Sequence, residues 1–272
     1  MMNRKAIAEE TVRIMRQGQY SINGQTVDIA LAQRQAEENS RLFTPAEGAK
    51  ILNRIVPPTE GALPKPTVAN EPTVKAILDF DRAGLTDIGV LNFASARNPG
   101  GGFLNGAMAQ EESLAASSGL YGTQLRHERY YTANRECASM MYTDHAIYSP
   151  EVPFYRNARF ELLKQPVTAS VLTLPAVNYG QVLKKGEDPR KANAVMRERM
   201  RLSLAIFAEC GARQLILGAY GCGVFGNDPV QIAKWWRELL VDEGYGRLFV
   251  RIHHAVLDSS RDDRCIRAFT SS

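Results

Sequence analysis

The sequence predicts an α/β fold in which helices cover both faces of a central sheet, and three observations carry that prediction. Short apolar runs of strand length, at 88–94, 170–177, 214–217 and 248–257, alternate with stretches of helical periodicity, the pattern of a sheet packed on both sides. Two glycine-rich loops, at 98–106 and 218–229, each follow such a run and precede a helix. The chain has 272 residues, enough to bury a full core as one large domain or as one domain with an extension.

Taken in order, residues 3–17 read as a helix with Ile7, Val12, Ile14 and Met15 on an imperfect apolar face. Residues 20–29 carry Asn23-Gly24 at their centre, a short-hairpin signature. Thr44-Pro45-Ala46-Glu47 is a capping-box pattern with proline at the first helical position, opening a helix through Ile55. Pro57-Pro58 and a Gly/Pro-rich run to Pro66 mark the best boundary. Residues 1–60 are therefore expected to be a mostly helical N-terminal extension, and 61–272 the domain that carries the chemistry. There, 74–83 is helical and 88–94 a buried strand. The first glycine loop leads into a helix from near Gln110, and 170–177 is the next strand. Residues 190–210 form a long helix with Met196, Met200, Leu204 and Phe207 at near-helical spacing. A strand at 214–217, a helix at 229–242 and a last strand at 248–257 complete the alternation. No repeat or low-complexity tract interrupts it.

Composition narrows the function. The chain is 44% hydrophobic and 23% charged, ordinary for a soluble globular protein. Its longest uncharged stretch, 165–183, is broken by Pro166, Pro175, Asn178 and Gly180, unlike a spanning helix. Arg4, Lys5, Glu9 and Glu10 leave no apolar core for a signal peptide, so a cytoplasmic protein without membrane partners is expected. Cys137, Cys210, Cys222 and Cys265 form no metal knuckle, and His127, His145, His253 and His254 lack zinc spacing to them. Reduced, mostly buried thiols and no bound metal are expected. The net charge of +4 favours a polyanion mildly. It lacks the dense basic clusters of a nucleic-acid reader, so no direct nucleic-acid readout is expected.

The chemistry should lie in the two loops, because ligands of such sheets sit beyond the carboxyl ends of the strands. In the first, Asn98-Pro99-Gly100-Gly101-Gly102 lets backbone amides approach an anion without Cβ interference; a flexible surface loop would look the same. Glu111 and Glu112 read equally as a solvated first helical turn stabilised by the helix dipole. In the second, Gly221-Cys222-Gly223-Val224-Phe225-Gly226 matches the dinucleotide G-x-G-x-x-G fingerprint between a strand and a helix. Against a dinucleotide fold, only one strand remains after it, and no clear acidic residue ends a following strand about 20 residues on.

Asn98-Pro-Gly-Gly-Gly, the seven residues 103–109 and then Gln110-Glu111-Glu112 together resemble the signature of poly(ADP-ribose) glycohydrolases. The run Leu-Asn-Phe-Ala-Ser-Ala-Arg-Asn-Pro-Gly-Gly-Gly-Phe-Leu-Asn-Gly-Ala at 91–107 is similar to the compact bacterial-type branch of that family. The resemblance spans roughly 65–269 and is less distinct over the extension. It implies a three-layer α/β/α macrodomain with a mixed central sheet, hydrolysing the ribose–ribose bonds of poly(ADP-ribose) mainly from the polymer end, without a cofactor. Poly(ADP-ribose), ADP-ribose and poly(ADP-ribosyl)ated proteins are the implied partners. Carried over residue by residue, Glu112 is the catalytic acid and Glu111 binds the ribose beside the scissile bond. Asn98 contacts the terminal ribose, Gly100, Gly101 and Gly102 line the diphosphate, and Gln110 belongs to the same substrate-binding set. The second loop resembles the second phosphate loop of macrodomains. There the amides of Gly223, Val224 and Phe225, flanked by Gly221 and Gly226, hold the diphosphate, and Phe225 packs on the terminal ribose. Asn70 or Glu71 reads the adenine edge and Phe269 stacks on adenine, although helix capping and tail anchoring explain those three as well.

The chemistry suits these assignments. Breaking an O-glycosidic bond needs a proton for the leaving oxygen while an oxocarbenium ion grows on the ribose. Adjacent side chains diverge and cannot face each other across one bond, so a single working carboxyl, Glu112, is expected, with water attacking the far face. Two rival readings are a macrodomain that only binds ADP-ribose, which needs no acid at the scissile bond, and an NAD-dependent oxidoreductase built on 221–226.

Overall fold

The computed structural model describes residues 3–271. Helix α1 (Arg4–Gln17) is capped by Asn3, whose side chain accepts from Ala6 N, and ends at Gly18 with φ +69°. Strands β1 (Gln19–Ile22) and β2 (Gln25–Asp28) form a hairpin of their own. Asn23 and Gly24, both at positive φ, turn it, as the right-handed twist of the paired strands favours. Helix α2 (Ala30–Glu38) and strand β3 (Arg41–Phe43) follow. In α3 (Pro45–Arg54) the capping box forms in full, Thr44 accepting from Glu47 N while the Glu47 carboxylate accepts from Thr44 N at 2.9 Å.

Next come β4 (Thr67–Ala69), α4 (Thr73–Arg82), β5 (Ile88–Ala94), α5 (Gln110–Ser117), α6 (Leu120–Leu125) and α7 (Glu128–Glu136). Strands β6 (Ala146–Arg156) and β7 (Leu162–Pro175), helices α8 (Tyr179–Lys184) and α9 (Pro189–Glu209), and β8 (Gln214–Leu217) follow. Helix α10 (Pro229–Arg237) runs into a π-turn at Glu238–Asp242, and β9 (Arg251–Ala255) and α11 (Arg264–Thr270) close the described chain.

Seven strands form one sheet in the order β3-β6-β7-β5-β8-β9-β4. β3, β6 and β7 pair antiparallel, and every pairing from β7 through β5, β8 and β9 to β4 is parallel. The sheet is thus mixed, as expected. Side chains alternate across it: Leu91, Leu172, Leu174, Leu215 and Leu217 pack on one face with Met196 and Met200 of α9 and Trp236 of α10. Val90, Val171 and Ile216 pack on the other with Val74, Ile77 and Phe80 of α4 and Leu114 of α5. That period of two is what layers helices on both faces.

The early residues are joined to this sheet. β3 is its edge strand, α3 packs on α9, and α1 rests against α5 and the 3₁₀ turn at Phe103–Asn105. A buried chain of bonds fixes α1: Thr11 Oγ1 donates to Ala116 O at 2.8 Å, and Arg156, itself bound to Glu10, donates from Nε to Thr11 Oγ1 at 3.2 Å.

Candidate active site

The cleft arises from a divergence of strands. β5 pairs with β7 over 89–94 but with β8 only over 88–90, so beyond Val90 one edge of β5 has no neighbouring strand. Buried backbone groups demand partners, and Gln110 supplies them. Its Oε1 accepts from Phe93 N at 2.9 Å and its Nε2 donates to Leu91 O at 2.8 Å. The first residue of α5 thereby stands in for the missing strand and fixes where Glu111 and Glu112 begin.

Those two carboxyls take different environments. Glu111 is only 2% exposed. Its Oε1 accepts from Asn92 Nδ2 at 3.1 Å and Gln124 Nε2 at 2.9 Å, and its Oε2 from Ser95 N at 2.6 Å. Burial still dominates those bonds and, with the nearby Glu112 charge, pushes the carboxyl up to about 8. Glu112 stands on the cavity wall, its Oε1 accepting from Gly102 N and its Oε2 from Ala109 N, both at 3.0 Å. Gly101 lies where the two carboxyls meet: a Cβ there would overlap Glu112 Oε1 and come within 3.1 Å of Glu111 Oε2, and its φ of +60° also favours glycine.

The second loop is pinned at its ends and open in the middle. Gly218 O accepts from the Trp236 indole at 3.0 Å, so this buried tryptophan holds the loop's start. Asn227 Nδ2 donates to Val177 O at 2.8 Å and Gly221 O at 3.0 Å, holding its end. Between them, the amides of Gly223, Val224 and Phe225 have no hydrogen-bond partner among the described residues, and Val224 is 90% exposed. Successive free N–H groups of this kind make an anion-binding concavity.

The two loops and the segment 255–260 enclose a cavity of about 1140 Å³. Of the candidate residues, Asn98, Gly101, Gly102, Gln110, Glu111, Glu112, Gly221, Gly223, Val224 and Phe225 line it. Gly100 is buried in the first loop, and Gly226 lines a smaller cavity that adjoins the main one. The remaining three stand away from the lining. Asn70 exchanges two 2.9 Å bonds with the backbone of Asp258. Glu71 binds His253 Nε2 at 3.0 Å and Lys75 Nζ at 2.7 Å. Phe269 is packed in the core, with its ring centroid 5.2 Å from that of His254. Sequence reading missed Asn92, Ser95, Gln124 and Asp258, whose positions depend on contacts distant in the chain. Among the described residues, no cluster of three or more His, Cys, Asp or Glu is arranged to hold a metal, and no helix is long and apolar enough to cross a membrane.

Residues 8–157 match the family model described as microbial-type PARG, catalytic domain. The chain belongs to that family. Its members are glycohydrolases, and the fold agrees: poly(ADP-ribose) glycohydrolase (PARG) from Thermomonospora curvata is similar at 39% identity and a TM-score of 0.94, with 98% of each chain covered. The same enzyme bound to the inhibitor ADP-HPD is similar at 38% identity and a TM-score of 0.91, again with 98% of each chain covered. The enzyme from Deinococcus radiodurans in complex with ADP-ribose gives 38% identity and a TM-score of 0.82, covering 93% of this chain and 98% of that one. No curated protein sequence matches the chain. Membership of the microbial-type PARG family sets aside the oxidoreductase reading of 221–226.

Proposed function

We propose that this PARG-family chain binds the terminal ADP-ribose unit of poly(ADP-ribose), free or on modified proteins, and cleaves the ribose–ribose bond behind it with Glu112 as general acid. The observation that carries this is the position of Glu112, on the wall of a nucleotide-sized cavity between two glycine loops. The cavity exceeds the roughly 300–1,000 Å³ usual for small-ligand pockets, and its amides at 223–225 suit a diphosphate.

The steps follow from the residues. Glu112 gives its proton to the leaving oxygen as the glycosidic bond breaks. The bonding pair stays on that oxygen, and positive charge develops on the ribose as an oxocarbenium ion. Water adds to the opposite face and gives up its proton to solvent, from which the Glu112 carboxylate regains its own, restoring the acid. Backbone amides of Gly102 and Ala109 keep that carboxylate aimed at the cavity. Glu111, held protonated at neutral pH, places no second full charge beside it and holds the ribose hydroxyl of the leaving unit. Asn98 and Phe225 close on the terminal ribose.

Incubation with labelled poly(ADP-ribose), with products resolved by size, tests this. Release of ADP-ribose supports it; retention of ligand without any cleavage would instead make the chain a binding module.

A further inference from the structure

Two of the four cysteines meet at the mouth of this cavity. Cys222 lies between Gly221 and Gly223 in the second loop, and Cys265 lies in the first turn of α11. Both thiols line the main cavity and a smaller adjoining one, and they interact directly with each other. Their backbones are held in place around this contact. Cys265 N and Ile266 N donate to Asp258 Oδ2 at 2.7 and 3.1 Å, and Arg264 binds Asp228, near the end of the second loop, at 3.0 Å. Side by side and half-buried, neither sulfur has a role in the chemistry derived above.

We propose that Cys222 and Cys265 form a reversible disulfide under peroxide, a modification that ties the amide-bearing second loop to the C-terminal helix and slows turnover. In the first step the Cys265 thiolate attacks one peroxide oxygen, giving a sulfenic acid and releasing the other oxygen as hydroxide, which takes up the proton the thiol lost on ionising and leaves as water. In the second the Cys222 sulfur attacks that sulfenic sulfur, loses its proton and expels a second water. Two thiols are oxidised by two electrons and one hydrogen peroxide is reduced to two waters; a dithiol reverses the exchange. The division of labour follows from the pair itself. The Cys222 thiol is raised by its contact with Cys265 and by burial, while the same contact lowers the Cys265 thiol from its ordinary value, so Cys265 is the first of the two to ionise. The other two cysteines lack such a neighbour, and burial pushes Cys210 up to about 11.

The bond acts on the loop because the loop's middle is otherwise held, among the described residues, by only two backbone bonds, Gly226 N to Gly223 O at 3.0 Å and Gly180 N to Phe225 O at 2.9 Å. A Cβ on Gly223 would meet nothing within 4 Å, so 223–225 has room to adjust as a diphosphate enters. Cross-linking Cys222 removes that freedom and draws the cradle toward α11. Displacing a positioning group by about 1 Å is enough to cost on the order of 10²-fold in rate.

The test uses the full chain, reduced and then exposed to hydrogen peroxide. The expected result is a mass loss of about 2 Da, a peptide joining Cys222 to Cys265, and turnover of labelled poly(ADP-ribose) reduced by roughly tenfold or more and restored by dithiothreitol. Each protein is compared with its own reduced state. Cys222→Ser and Cys265→Ser should lose both the cross-link and the reversible inhibition, whereas Cys137→Ser and Cys210→Ser should keep them. Absence of the cross-linked peptide, over-oxidation of Cys265 without linkage, or equal reversible inhibition in the two single variants would overturn the proposal. The link itself stands apart from the enzymatic reading, since mass and peptide mapping report it even if no polymer is cleaved; its effect on turnover rests on that reading.

Discussion

At the scale of single residues, the site depends on giving two neighbouring glutamates different surroundings. Glu112→Gln keeps the shape, its one carbonyl oxygen accepting from Gly102 N or from Ala109 N but not from both, and it has no catalytic proton to give. Turnover should fall by about 10²–10⁴-fold or more while calorimetry shows ADP-ribose affinity within a few fold; a variant that keeps most of its rate would move the acid elsewhere, with Glu111 the first alternative. Glu111 makes a separate prediction through stability. Below about pH 4.5 its carboxyl is protonated in both folded and unfolded chains. As pH rises from there toward about 8, the unfolded chain ionises while the folded one retains its proton, so stability is lost across that window. Thermal melts should show wild type losing stability from pH 4.5 to 8 relative to Glu111→Gln, in which the slope from this group is gone. Parallel curves would mean that Glu111 is ionised in the folded chain. The glutamate pair and its motif were legible in the sequence. The Asn92–Gln124 cage that separates their chemistry was not, because those residues approach Glu111 only through the packing of β5 and α6.

At the scale of elements, what was legible followed periodicity. β5, β8 and α9 came out as read because their apolar spacing is unbroken and their flanks carry turn residues. β6 was missed because Pro150 and Pro153 argue against a strand; the chain accommodates them with a register shift between Ser149 and Val152 and with Glu151 at φ +45°. α7 was missed because Tyr130, Tyr131 and Asn134 are buried among charged residues that give no apolar stripe in sequence. The early segment reads as helical, but its place on the main sheet rests on the three residues of β3, too short to be recognised. α1 supports the catalytic helix through Thr11, so Thr11→Val should leave Ala116 O unpaired and Arg156 short of one acceptor. That costs about 1–3 kcal/mol, seen as a melting temperature lower by roughly 2–5 °C. An unchanged melt would show that α1 does not brace α5. In the proposed reading Phe225 of the second loop, whose ring lies 6.1 Å from that of Tyr142, is the apolar wall for the ribose. Phe225→Ala should weaken ADP-ribose binding in calorimetry by about tenfold, the loss expected for removing roughly 1–2 kcal/mol of apolar contact; unchanged affinity would place the ribose elsewhere.

At the scale of the molecule, the question is whether the cavity is a channel or a closed end. Its walls come from three parts of the chain: the loop after β5, the loop after β8 and the segment after β9. The third is held from two sides. Asn70 clasps the Asp258 backbone through two hydrogen bonds, and the Asp258 side chain accepts from Cys265 N, Ile266 N and Ser260. Those bonds hold the Asp258 carboxyl down at about 2, so the segment stays anchored at any pH where the enzyme works. A wall built this way does not readily swing aside to let a polymer run through. A unit seated with its diphosphate on 223–225 and its reacting ribose at Glu112 therefore has chain extending in one direction only, past the scissile bond. Cleavage should then proceed from the polymer end. Early in the reaction the labelled products should be ADP-ribose monomers beside slowly shortening polymer, with few fragments of intermediate length. The Asn70→Ala variant, which releases the clasp on Asp258, is the matching probe: it should raise the share of intermediate fragments if the 255–260 segment is the closing wall. Oligomers appearing before monomer in the wild-type reaction would show that the cavity is open at that end, and the polymer-end reading would fall with it.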